Sequence, residues 1–135
     1  MNLFSFLNPK PKHILNENGE NIIFHKNEKD QIRMTFTKKD GKIVGDFHTY
    51  YLGPPGRQVV SLKANFKNGK IDGNAYEYSL SARIKRIIEF YDEGSLIKQT
   101  VYMSSGELHR EEEFTKSQNK KGIVQNRIED KLKDF

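Results

Sequence analysis

Phe36-Thr37-Lys38-Lys39-Asp40-Gly41-Lys42-Ile43-Val44-Gly45-Asp46-Phe47-His48-Thr49-Tyr50-Tyr51 decides the fold, because Phe66-Lys67-Asn68-Gly69-Lys70-Ile71-Asp72-Gly73-Asn74-Ala75-Tyr76-Glu77-Tyr78 lines up with it. A looser copy runs Phe90-Tyr91-Asp92-Glu93-Gly94-Ser95-Leu96 and continues to Tyr102 and Gly106-Glu107-Leu108. Gly41 and Gly69 are 28 residues apart and Gly69 and Gly94 are 25 apart, so each unit is about two strands long. Asp40-Gly41, Asn68-Gly69 and Glu93-Gly94 stand where a tight hairpin demands positive φ, which glycine adopts without steric penalty. Gly45 and Gly73 lie inside the following strand. A missing Cβ there either lets a neighbouring aromatic lie across bare backbone or marks a bend; Phe47, Tyr50, Tyr76 and Tyr78 are the rings at hand.

Outward from these units, turn residues recur at Gly19, Lys29-Asp30, Gly41, Gly56, Gly69, Ser81, Gly94 and Gly106, about 11 to 15 residues apart. Between them Ile, Val, Phe, Tyr and Thr predominate, the types that suit a pleated surface. Ile32, Met34 and Phe36 alternate with polar residues, and so do Val60, Leu62, Ala64 and Phe66. Leu108 and Phe114 are placed opposite Glu107, His109, Glu111 and Glu113. A period of two gives each strand one apolar and one wet face. Within Ile84–Tyr91, Ile87 breaks the parity of Ile84, Ile88 and Phe90, which signals a bulge or burial on both sides.

The spacing therefore predicts an all-β protein: an antiparallel β-meander of about eight or nine strands over residues 17–115, with a C-terminal α-helix within 116–135. Val124, Ile128, Leu132 and Phe135 recur at four, four and three, one face of an amphipathic helix of some 15 residues. Residues 1–16 read as an N-terminal docking segment, with the apolar patch Leu3–Leu7 followed by Pro9 and Pro11.

Composition narrows the function. The chain of 135 residues carries 23 Lys+Arg and 18 Asp+Glu, a net charge of +5, with 35% apolar and 11% aromatic residues. That supply suits a thin, surface-rich β protein. With no cysteine there is no disulfide framework, thiolate metal site or Cys nucleophile. No apolar run nears the roughly 20 residues of a membrane helix, and Leu3–Leu7 is too short for a secretory signal, so a cytoplasmic location is expected.

The pattern of an aromatic, then Asn/Asp-Gly-Lys-Ile, then x-Gly, then an aromatic pair resembles the MORN repeat, and more narrowly the variant repeats of the bacterial YwqK-type antitoxin family. The resemblance covers about residues 17–114, and the third unit departs from it by having Lys98 in place of the second glycine. It implies successive hairpins in one layer, no enzymatic activity, and a partner that is a toxin held by an antitoxin or immunity protein. Eukaryotic MORN arrays add a second implication, scaffolding or attachment to anionic lipid.

The residues themselves offer little catalytic chemistry. His13, His25, His48 and His109 are scattered, which suits solvent-facing sheet positions better than a metal site. Glu111-Glu112-Glu113 is a solvated face that guards a late edge strand, and Gly53-Pro54-Pro55-Gly56 is a rigid loop in which two prolines remove the amide donors a phosphate would need. No cofactor, metal or catalytic residue is expected. A basic patch at Arg83, Lys85 and Arg86 and a tail net of +3 over 116–135 allow nucleic acid or a membrane surface as lesser partners. A one-layer sheet leaves aromatics to be covered by something else. The expected contact residues of a protein partner are Tyr50, Tyr78, Arg83, Arg86 and Tyr102.

Overall fold

The computed structural model describes residues 12–25, 28–53, 58–80 and 84–135. Its strands are β1 (Gly19–His25), β2 (Glu28–Lys39), β3 (Lys42–Tyr51), β4 (Val59–Lys67), β5 (Lys70–Tyr78), β6 (Lys85–Asp92), β7 (Ser95–Tyr102) and β8 (Leu108–Glu113). They form one open antiparallel sheet in the order of the sequence, β1 to β8, the meander the turn spacing predicts. Lys29-Asp30 is not a turn, since it lies inside β2. Leu3–Leu7, Arg83 and Gly56 lie outside the described residues.

The three short hairpins are built alike. Asp40, Asn68 and Glu93 have φ of 51°, 50° and 47°, and Gly41, Gly69 and Gly94 have φ of 76°, 83° and 87°. Two successive positive values are the turn whose twist matches that of the strands. Each turn also leans on the unit before it. The amides of Gly41, Gly69 and Gly94 donate to the carbonyls of Glu17, Ile43 and Ile71 at 3.0, 2.9 and 2.8 Å. Successive hairpins are thus tied at their tips as well as along their strands.

Gly45 and Gly73 mark bends and carry no ring across them: their φ values are 72° and 85°, and a Cβ added at either would meet nothing within 4 Å. Pairing jumps there from Thr35–His48 to Thr37–Val44, and from Ala64–Ala75 to Phe66–Ile71. The third unit, with Lys98, has a shorter irregularity, from Phe90–Lys98 to Tyr91–Leu96.

A second set of bulges sits toward the opposite strand ends. Pairing skips Arg33 in β2, Ser61 in β4, Arg86 in β6 and His109 in β8. These positions are 28, 25 and 23 residues apart, so the bulge belongs to the repeat as much as the turn does. The broken parity around Ile87 is this bulge: Ile87 and Tyr91 are buried, while Phe90 faces out at 43% exposure.

The helix α1 (Ile123–Leu132) follows a single 3-10 turn at Lys116–Gln118. It is 10 residues long, shorter than the sequence period suggests, because residues 119–122 stay outside it, Asn119 in the left-handed region at φ 46° and Gly122 extended, to carry the chain back over the sheet. At about 15 Å it would not persist alone in water. It lies on the sheet: Val124 and Ile128 are buried with Ile23, Met34, Phe36, Phe47, Leu62, Phe66, Ile71, Tyr91 and Leu96 in one core, and Leu132 packs against it.

One carboxylate fixes where the helix begins. Glu89, fully buried in β6, accepts from the amides of Ile123 and Val124 at 2.9 Å each, from Tyr91 Oη at 2.6 Å and from Gln99 Nε2 at 2.6 Å. Amides left free by the first helical turn are satisfied, and the negative group sits at the positive end of the helix. Gly122, the residue before the helix, passes so close that an added Cβ would lie 2.5 and 2.6 Å from the two Glu89 oxygens and would also overlap Tyr91 Oη. Its φ of −93° is open to any residue, so its small size is what the site requires.

The far edges differ. Ile14 pairs with Ile22, and the Phe24 amide donates to His13 Nδ1 at 3.1 Å, so the β1 edge is partly covered. Every residue of β8 is exposed, Leu108 included, because the helix ends short of it. Its glutamates guard this edge.

Glu89→Gln replaces one acceptor oxygen by an NH2 that faces two donors, and a loss of about 2–4 kcal/mol is expected in urea unfolding. Gly122→Ala should lose about 1–3 kcal/mol by overpacking. Unchanged urea midpoints in both variants would show that the helix is held otherwise.

Candidate functional site

The helix closes one face of the sheet and leaves the other open. In the open face, cross-strand register lines up Ile22, Thr35, His48, Lys63, Tyr76, Ile88, Thr100 and Glu111, one from each of the eight strands. Beside this row, toward the end of the sheet that carries the second set of bulges, Tyr50 pairs with Val60, Tyr78 with Lys85, and Tyr102 with Leu108. Three of the expected contact residues therefore fall at matching places on β3, β5 and β7. All three are half-buried.

The rings pack along the strands. His48 stacks on Tyr50 with centroids 6.2 Å apart, Tyr76 and Tyr78 are 6.1 Å apart, and Lys85 Nζ lies 4.3 Å above the Tyr76 ring. These contacts hold the rings in place, so little side-chain freedom is left to lose on docking. Burial lifts the Tyr78 phenol above its usual range, helped by Tyr76 beside it. Burial also lowers His48, and the Lys63 ammonium in the facing strand pushes the same way while Asp46 opposes.

Arg86 is placed elsewhere. As the bulge residue of β6 it is displaced from the alternation, its Nε donates to the Tyr102 carbonyl at 3.0 Å, and its charge is felt by Glu77 and Tyr51. It thus buttresses Tyr102 through the backbone while belonging to a group on the helix side. Arg83 lies outside the described residues.

That group was not visible in the sequence. Glu77 faces the helix in a row otherwise made of Ile23, Met34, Thr49, Leu62, Ile87, Val101 and Arg110, and Arg127 Nε reaches its Oε1 at 2.7 Å. Burial raises the Glu77 carboxyl above the ordinary range, against the pull of Arg127 and Arg86. Lys131, one helical turn on, is lowered by burial and by Arg33 and Arg127. Tyr51 Oη donates to the Tyr78 carbonyl at 2.7 Å. Together these residues edge a cleft of about 260 Å3 lined by His25, Tyr51, Ser61, Glu77, Arg127 and Lys131. The period-28 bulge was the available signal, because it turns Arg33 and Arg86 out of strict alternation.

The tail's other bases are largely engaged within the chain. Lys121 pairs with Glu129 at 3.1 Å, Lys133 with Asp130 at 3.1 Å, and Lys116 with Asp92 at 3.6 Å. Among the described residues no helix is long and apolar enough to cross a membrane, and no three His, Asp or Glu side chains converge on a metal position. The sequence matches no protein-family model and no curated protein.

His48 generates a test. Its depressed folded-state value means that the unfolded chain takes up the proton first as pH falls below 6.5, so this residue's share of stability is complete above 6.5 and declines from there as pH drops. Proton NMR should show His48 titrating below 6.5, and Lys63→Gln should move its midpoint upward; no movement would remove Lys63 as a cause.

Proposed function

We propose that this chain is a non-enzymatic protein-binding module of the antitoxin or immunity type, which neutralises a toxin by covering it. The observation that carries the reading is the asymmetry of the sheet. The middle of one face is covered by α1, while the other presents a row of pre-packed tyrosines with no helix or strand of the described chain over them. Eight strands at about 4.8 Å spacing and eight to ten residues of about 3.3 Å make a face of roughly 1,000 Å2. A standard interface needs about 800 Å2 per partner, so one face suffices.

Recognition would be steric, with no bond made or broken. Tyr50, Tyr78 and Tyr102 are the anchors: large, stiff and amphipathic, the type that dominates interface energetics. Lys63 and Lys85, exposed on the same face, steer an acidic partner and set the rate of encounter more than the strength of the complex, while Lys98 is paired with Glu111 at 2.9 Å. The resemblance to antitoxin repeats supplies the partner class, and the open face supplies the means. The ion pairs of the tail engage the bases that a lipid surface would need, so lipid attachment is not developed further.

Co-expression with the product of the adjoining gene tests this. The full chain should form a stoichiometric complex and restore growth if that product is toxic. Tyr50→Ser, Tyr78→Ser and Tyr102→Ser should each fold, as judged by an unchanged far-UV spectrum, and weaken the complex at least tenfold, about 1.4 kcal/mol. Absence of a complex, or equal affinity in all three variants, overturns the reading.

A further inference from the structure

We propose that the cleft between α1 and the bulged strand ends is a binding site for a single oxyanion, a carboxylate or a phosphoryl group. The inference does not depend on the open face or on any toxin. Two cations line the cleft, Arg127 and Lys131 from successive turns of α1, and two more stand at the bulges of β2 and β6, Arg33, whose charge is felt by Lys131, and Arg86, whose charge is felt by Glu77. Against them, among the described residues of this group, stands one carboxylate, Glu77, already joined to Arg127.

Like charges gathered on a partly buried surface repel one another, and that repulsion is a standing cost to the fold. Lys131 registers it in part: burial opposes its protonated form most, and Arg33 and Arg127 push the same way against the pull of Glu77. A bound anion would relieve the strain and gain from it. The geometry suits a small group. The cleft of about 260 Å3 falls below the range of drug-sized pockets, and Ser61 and Tyr51 on its wall bring hydroxyl groups beside the cations. The Tyr51 hydroxyl spends its proton on the Tyr78 carbonyl and has none for an anion, whereas Ser61, when it accepts from Thr49, keeps its own proton to donate. Arginine forks suit the planar or tetrahedral oxygens of carboxylate and phosphate.

The repeat explains how the cluster arises. Each bulge redirects one side chain from its even-numbered strand. Two of the four bulge residues are arginine, and the helix lies across the sheet with its own bases toward the same end.

Thermal unfolding at fixed pH and fixed ionic strength is the test, with chloride replaced by inorganic phosphate in one arm and by acetate in another. A millimolar site at 20 mM anion should raise the melting temperature by about 5 °C over chloride. Lys131→Met, which keeps the aliphatic stem, should raise it in chloride by relieving repulsion and abolish the anion increment. A response to phosphate alone assigns a phosphoryl group, to acetate alone a carboxylate, and to both an oxyanion of either source. In the wild-type chain, side-chain Nε–H resonances of Arg33, Arg86 and Arg127 should shift saturably with the same anion. No increment in either arm, or an increment that survives in Lys131→Met with those resonances unmoved, overturns the proposal.

Discussion

A buried carboxylate with four hydrogen-bond donors around it holds this molecule together as a functional object. Glu89 comes from the sheet, and two of its donors come from the start of the helix. Burying a charge is expensive unless it is fully hydrogen-bonded, and a helix start is expensive to bury unless its amides are met. Each deficit answers the other. Tyr91 and Gln99 complete the shell from the same strand and its neighbour, and Arg110 continues the chain by donating to Gln99 Oε1 at 3.0 Å. Gly122 is what lets the backbone come close enough for this to happen.

From that anchor the rest follows in order. Once its first turn is seated on β6, a helix of this length crosses only the middle of the sheet, and Val124, Ile128 and Leu132 fall on the apolar stripe left by the repeats. One face becomes core and the other stays exposed. The same placement swings Arg127 and Lys131 toward the bulged ends, where Glu77 receives one of them. Two glutamates on the helix side of an otherwise largely apolar sheet face thus act as docking points, one for backbone amides and one for a guanidinium.

The repeat has two parts, and they were unequally legible. Hairpin turns announce themselves because few residues tolerate positive φ, so Asp40-Gly41, Asn68-Gly69 and Glu93-Gly94 carried both register and topology. Tyr50, Tyr78 and Tyr102, expected as contacts from their residue type, lie on one face in one band. Bulges leave a fainter trace, since any residue can occupy them. Only the parity break at Ile87 hinted at one, and Arg86, expected among the partner contacts, sits on that bulge with its Nε on the Tyr102 carbonyl. The choice at Gly45 and Gly73 between a ring-covered backbone and a bend was likewise open until φ was known. The all-exposed β8 shows a different limit: alternation describes a strand's two faces but not whether anything covers them.

Local chemistry written along the chain determined the order of the strands, the hairpin tips and the apolar side of most strands, because turn sterics and side-chain period act between near neighbours; in β8 the bulge at His109 instead puts Leu108 on the side of Glu111. Which face the helix would cover, that Glu89 would stop its N-terminus, and that Arg127 would reach Glu77 were settled only in three dimensions. Those pairings join residues 34 to 50 positions apart, and the preferences of a short peptide carry no information about a partner so distant.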